Sequence, residues 1–256
     1  MKKSKKIVAI GGGEIGRPGY KIETLKIDQE IIKLAGKKNP KLLFIPTASG
    51  DSDGYIEVVK KYFGKKLGCK ISVLKLINTD IAFKDIEKLI FSADIIYVGG
   101  GNTLKMLKLW RKKGVDKLLI SAYSKGIILS GLSAGSVCWF KYGQSDSKKF
   151  KDKNAPYITI SGLSLVDSLH CPHYDTEMDR QADLKKRIKK IKKVAIALEN
   201  CSAIEIINDQ YKIVTSKPKA NAFKIYWHKN KFYKIKLEKN KLFPIETLLK
   251  KTTLQF

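Results

Sequence analysis

The first two-thirds of the chain alternates short, β-branched apolar runs with longer stretches whose apolar residues recur every three to four positions. Lys6 to Ile10 reads as a strand ending in Gly11-Gly12-Gly13. From Thr24 to Ala35, Ile27, Ile31 and Leu34 fall at i, i+4 and i+7, which predicts an amphipathic helix, and Gly36 stops it. The same alternation predicts strands at 42–45, 71–77, 95–98 and 127–130, and helices at 55–67, 83–91, 102–112 and 115–125. Strands that are apolar almost throughout belong in a parallel sheet covered on both faces. The pattern therefore predicts an α/β fold: a mostly parallel sheet with helices on both faces. In such sheets, sites form at the carboxyl ends of the strands. There the chain carries Gly11-Gly12-Gly13, Pro46-Thr47-Ala48-Ser49, Gly99-Gly100-Gly101 and Ser133.

After about residue 200 the rhythm shortens. Ser202 to Ile207, Tyr211 to Val214 and Ala222 to Trp227 read as short strands, expected as antiparallel additions at one edge of the sheet. No linker rich in Pro, Gly or Ser and no internal repeat interrupts the sequence. Residues 1–256 are thus expected to form a single domain, with the strands from about 203 as its edge extension.

Composition narrows the function classes. At 256 residues and 43% hydrophobic content the chain can bury a sizeable core. No apolar run reaches the roughly 18 residues that cross a bilayer. The basic start, Lys2-Lys3-Ser4-Lys5-Lys6, is followed by an apolar run too short for a signal peptide, so the chain reads as cytoplasmic with no membrane partner. Cys69, Cys138, Cys171 and Cys201 form no C-x-x-C pair and read as free buried thiols; a zinc site from Cys171, His170 or His173 lacks the usual second ligand pair. The net charge of +27 invites a nucleic-acid reading, but only four of the 51 basic residues are arginine (Arg17, Arg111, Arg180, Arg187). Lysine spread along a chain lacks the bidentate geometry of base readout, so no specific nucleic-acid partner is expected. The run Lys185 to Lys193 reads as a solvated helix face.

Two glycine motifs compete for the chemistry. Gly11 to Gly16 fits G-x-G-x-x-G, with Glu30 beyond it, but Pro18-Gly19 follows and helical periodicity waits until Thr24. A dinucleotide loop must open directly into a helix, so no such cofactor is expected. Gly131-Leu132-Ser133-Ala134-Gly135 fits G-x-S-x-G with a strand before it and apolar residues Val137 to Trp139 after, expected to pack a returning helix. Tight strand–helix packing alone would also call for small residues. An elbow of this kind exposes a serine nucleophile and sets helix N-terminal amides beside the reacting oxygen. Ser136 is a rival nucleophile one turn inside the helix. A general base must be His170, His173 or His228. His228 sits in a hairpin-like turn and His170 in an apolar run, whereas His173 opens a polar loop. For the acid that orients the imidazole, Glu199 ends the strand 194–198; Asp146, Asp175 and Glu205 compete. The Ala134 amide and the Gly99-Gly100-Gly101 loop are the expected oxyanion donors.

With Gly99-Gly100-Gly101-Asn102-Thr103, Gly131 to Ser136 and Pro172-His173-Tyr174 in place, the chain resembles the peptidase E family of serine peptidases, with cyanophycinase as a relative. The resemblance runs over nearly the whole chain. It implies a fold like that of class I glutamine amidotransferases and a Ser–His–acid triad acting through an acyl-enzyme. Carried over by motif, Ser133 is the nucleophile, His173 the base, Glu199 the acid, and Gly100 or Gly101 with Ala134 the oxyanion hole. Asp146 falls where family members carry a supporting aspartate. The implied substrates are small peptides, dipeptides with an N-terminal aspartate, and no cofactor or metal is implied. An aspartyl side chain wants a cation, for which Arg180 is the first candidate and Arg17 the second. A non-catalytic binding or regulatory protein on the same fold is the alternative, and a homodimer through a sheet edge stays open.

Overall fold

The computed structural model describes residues 4–176 and 178–251. Strands β1 (Lys6–Ile10), β2 (Lys41–Ile45), β3 (Lys70–Val73), β4 (Ile95–Val98) and β5 (Ile128–Leu132) form a parallel block in the order β1-β5-β4-β2-β3. The helices between them are α1 (Leu25–Leu34), α2 (Asp53–Val59, continued by a π-helical stretch, Lys60–Lys66), α3 (Phe83–Ser92), α4 (Thr103–Lys113) and α5 (Val115–Ser124). Alternation along the strands divides the core. Ile7, Leu43, Ile96 and Leu129 face one cluster with Ile86, Leu107, Trp110 and Leu119 of α3 to α5. Val8, Leu42, Phe44, Ile95 and Tyr97 face the other with Ile27, Ile31, Val59 and Phe63 of α1, α2 and its π-helical extension. Both faces are apolar because both are covered, as the continuous runs predict.

A short helix, α6 (Ala134–Val137), then leads into a second sheet that the sequence does not announce. Its members β6 (Phe140–Ser145), β7 (Ile158–Ser161) and β8 (Val166–Cys171) precede α7 (Met178–Ile191) and β9 (Ala195–Leu198). The chain returns to the first sheet with β10 (Ser202–Ile207) and β11 (Gln210–Thr215), antiparallel beside β1, as expected. The next strand, β12 (Ala222–His228), corrects the expectation of an addition to that same edge: it pairs with β9 and with β13 (Lys231–Lys236) in the second sheet. β14 (Phe243–Pro244) joins β11, and α8 (Ile245–Leu249) follows. The expected returning helix through Trp139 also needs correction. α6 stops at Val137, because the Trp139 carbonyl accepts the backbone N–H groups of Leu165 and Val166 and turns the chain into β6.

The second sheet packs on the α3–α5 side of the first. Phe140, Val166, Ile196 and Leu198 share that cluster, while Leu169, Cys171, Ala195 and Ala197 face Leu184 and Ile188 of α7. The C-terminal ends of β1, β5, β8 and β9 are tied together by backbone hydrogen bonds around Gly11-Gly12, and the candidate site lies there.

Candidate active site

Ser133 sits between β5 and α6 at φ 56°, ψ −113°, a strained conformation for a residue with a Cβ. Two glycines make that turn feasible by close approach. A Cβ on Gly131 would run into the Gly135 backbone, and one on Gly135 into the Val98 carbonyl of β4. The Ser133 amide donates to the Ile10 carbonyl at 3.1 Å, fixing the elbow to the end of β1.

His173, just after β8, is held in the left-handed region (φ 51°) with its amide on the Gly11 carbonyl at 3.1 Å. Its Nε2 lies 2.8 Å from Ser133 Oγ, and its Nδ1 2.7 Å from Asn200 Oδ1. An amide oxygen only accepts, so Nδ1 carries the proton and Nε2 is left to accept from Ser133. Burial depresses the His173 pKa below 6.5; Asn200, Asp146 and Asp175 oppose that shift, and Arg180 adds to it. The ring is therefore neutral near pH 7, with its basic nitrogen on the serine.

Glu199, the residue expected at Nδ1, points elsewhere. Its carboxylate accepts from the Asn221 amide at 2.7 Å and from Asn221 Nδ2 at 3.0 Å. Asn200, one residue on, takes the place beside the imidazole, and its own N–H donates to Asp175 Oδ1 at 2.9 Å. Neighbouring residues leaving a strand project in different directions, so a shift of one residue decides which side chain meets the ring. The competing Glu205 is buried against Lys212 at 3.1 Å. Asp146 lies 3.5 Å from Arg180 Nη2.

The opening glycines serve this pair. A Cβ on Gly12 would fall well inside contact distance of both Asn200 Oδ1 and the His173 ring, and the Gly12 carbonyl accepts from the Cys201 amide at 2.8 Å. Gly11 is likewise pressed on Leu198 and Glu199, with no room for a side chain. Gly11 and Gly12 form a backbone rail against which histidine and asparagine are seated.

The second glycine loop lies across the elbow. A Cβ on Gly100 would stand 3.5 Å from Ser133 Cβ, so Gly100 faces the serine. Its amide points at the Tyr55 hydroxyl, 3.4 Å away. Burial pushes the Tyr55 phenol up to about 12, keeping it a neutral hydroxyl. Gly101, at φ 137°, is packed on the Ala48 backbone too closely for any side chain. The Ala134 amide follows the serine directly at the start of α6.

Arg180 is 1% exposed on α7, with its guanidinium 4.7 Å from the Tyr157 ring centre as well as beside Asp146. It does not line the cleft that opens at Ser133. Arg17 does, together with Glu14, Tyr20, Tyr55, Gly100 and His173, around a volume of about 720 Å³. Ser136 makes a second serine–histidine contact: its Oγ lies 2.8 Å from His170 Nε2, and His170 Nδ1 lies 3.0 Å from the Ile196 carbonyl. Burial drives the His170 pKa down to about 3, and both residues are wholly enclosed. Cys171 Sγ, the thiol considered for a metal, donates to Gln144 Oε1 at 2.9 Å. Among the described residues no group of His, Cys, Asp and Glu side chains is arranged to hold a metal ion, and no helix is long and apolar enough to cross a membrane. Asn200, Tyr55 and the seating role of Gly12 were beyond the reach of sequence reasoning; only the unusual triple glycine signalled that something must approach the backbone there.

Comparison with known proteins bears on the family and the fold. The model of peptidase family S51 matches residues 7–214. The uncharacterized peptidase YgaJ of Bacillus subtilis is 34% identical over 237 residues, covering 91% of this chain and 97% of its own length. The uncharacterized peptidase Lin0382 of Listeria innocua is 35% identical over 141 residues, 52% of this chain and 63% of its own. Among solved structures, a peptidase from an acI-B1 Actinobacterium superposes with a TM-score of 0.70 at 17% identity, over 95% of this chain and 98% of that one. A putative peptidase E protein from Listeria monocytogenes superposes at 0.61 with 22% identity, over 83% and 98%. These two show the same mixed α/β fold. The chain belongs to peptidase family S51, as its peptidase E-like motifs imply, and is a peptidase.

Proposed function

We propose that this protein is a serine peptidase of short peptides that works through an acyl-enzyme on Ser133, with His173 as general base and Asn200, in place of an acid, orienting the ring. The observation that carries this reading is the continuous contact from Ser133 Oγ through the His173 ring to Asn200 Oδ1, at 2.8 and 2.7 Å. His173 takes the serine proton as Oγ attacks the scissile carbonyl. The amides of Ala134 and Gly100 face the oxyanion, and Gly100 exchanges its long contact with Tyr55 for the developing charge. Gly101 sets the loop's path. His173 then protonates the leaving amine, and water repeats the steps in reverse to release the acid. Asn200 fixes the tautomer but carries no charge, so Asp175 and Asp146 act on the imidazolium only from a distance. A cleft of about 720 Å³ suits a dipeptide or a little more. The N-terminal aspartate preference implied by family resemblance needs a cation at the cleft. Arg180 is committed to Asp146 and Tyr157, and among the described residues Arg17 is the one arginine or lysine that lines the cleft.

An alkyl fluorophosphonate should label Ser133 stoichiometrically and abolish hydrolysis of a mixed dipeptide library. Absence of both labelling and hydrolysis would favour a binding protein on this fold.

The neutral partner of His173 also sets a pH dependence. A general base works deprotonated, so kcat/KM falls as pH drops through the His173 pKa, which burial holds below 6.5. Asn200→Asp sets a carboxylate against Nδ1, stabilises the imidazolium and should move this acid limb to higher pH. Superimposable pH profiles of wild type and Asn200→Asp would separate Asn200 from His173 in solution.

A further inference from the structure

The cleft at Ser133 is poorly suited to an acidic side chain. Its walls include Ile15, Pro18, Tyr20, Tyr55, Val58 and Leu132. In a protein of net charge +27, Arg17 is the one lysine or arginine among the described residues lining it. That arginine is already engaged. Its Nε donates to Glu14 Oε2 at 2.7 Å, and its guanidinium lies 4.9 Å from the Tyr20 ring centre.

Glu14 in turn is bound into its own turn. Its Oε1 accepts the backbone N–H groups of Ile15 at 3.0 Å, Gly16 at 3.2 Å and Arg17 at 3.0 Å. Burial would raise the Glu14 pKa, but these donors and Arg17 pull it below the usual carboxylate value, so Glu14 stays ionised. An aspartyl carboxylate reaching Arg17 would meet this fixed negative charge. The Glu14–Arg17 pair is neutral as a unit and Arg17 is 63% exposed, so a second carboxylate meeting it in water gains little over its own hydration.

An apolar side chain meets no such opposition and gains by leaving water. The wall nearest the serine is also rigid. The Tyr55 ring packs edge-on against Phe44 with centroids 5.1 Å apart, and its hydroxyl is placed by the Gly100 amide. Leu132 directly precedes the nucleophile and lies against Gly100.

We infer that the substrate residue seated beside Ser133 carries an apolar or aromatic side chain, held among Ile15, Tyr55, Val58 and Leu132, and that Arg17 serves to close the Glu14 turn rather than to read aspartate. This rests on Ser133 being the nucleophile. Apolar contacts of this kind discriminate by roughly ten- to hundredfold in kcat/KM.

The test compares matched leucyl, phenylalanyl and aspartyl diphenyl phosphonates, following labelling of Ser133 by intact mass. The dipeptides Leu-Leu, Phe-Leu and Asp-Leu are assayed in parallel. The leucyl and phenylalanyl probes should label at least about tenfold faster than the aspartyl probe, with the dipeptides in the same order. Ile15→Ala and Val58→Ala, with folding checked by thermal melting, should slow the apolar probes more than the aspartyl probe and so narrow the ratio between them. An aspartyl probe that labels as fast or faster overturns the inference while leaving Ser133 as nucleophile. Selective apolar labelling without hydrolysis of any peptide upholds the pocket and removes the peptidase role. Labelling by none of the probes, with no hydrolysis, removes both.

Discussion

Ser133→Ala is expected to lower kcat for peptide hydrolysis by about 10⁴-fold or more while leaving the melting temperature near that of the wild type. Among the described residues the side chain's partner at the site is His173 Nε2, and the strained backbone at φ 56° is imposed by the Ile10, Val98 and Gly135 contacts, not by the hydroxyl. His173→Ala should cost a similar factor, and the double variant little more, because nucleophile and base act as one unit. The internal control is Ser136→Ala. Its Oγ is sealed inside the protein against a histidine that burial keeps neutral, so it has no access to substrate. Steady-state kinetics on the three single variants decides the matter. Full activity in Ser133→Ala, with loss in Ser136→Ala, would transfer the chemistry to the buried pair.

Gly12→Ala should reduce kcat on the order of 10²-fold with a smaller change in KM. The added methyl needs the space now occupied by the Asn200 amide and the His173 ring, and the ring cannot move without leaving Ser133. Gly12 is not among the glycines held at positive φ, so alanine is not excluded by backbone conformation and the effect isolates the contact. Overpacking of this size costs about 1–3 kcal/mol, which a melting curve would register as a modest loss. If Gly12→Ala keeps the wild-type kcat, the close seating of His173 on the glycine rail is not needed for turnover.

Much of this site is legible in the sequence. The elbow glycines, Ser133 and His173 are local signals: a small-residue turn after an apolar strand, and a histidine where an apolar run becomes polar. The parallel strands were legible because burial on both faces makes each a continuous apolar run, and β4 matches its expected range residue for residue. The second sheet was hidden by the opposite property. β6 reads Phe-Lys-Tyr-Gly-Gln-Ser, with partly exposed positions and polar residues that are buried by hydrogen bonding, so its apolar pattern is broken. The strand at 222–228 could be recognised as a strand but not assigned to a sheet, because pairing joins residues far apart in the chain.

What the sequence by itself determined is the alternation that builds the central sheet, the elbow that presents Ser133, and the histidine that the structure places beside it. These depend on contacts between near neighbours or on the burial of whole runs, and both leave a periodic trace. Tertiary structure alone decided that Asn200 and not Glu199 meets the imidazole, that Gly12 lies against that pair, that Tyr55 stands at the Gly100 amide, and that Arg180 is buried while Arg17 is bound to Glu14. Each of these depends on the direction of one side chain across a turn and on which distant segment packs there. A hydrogen bond of 2.7 Å discriminates between adjacent residues; a hydrophobic pattern does not.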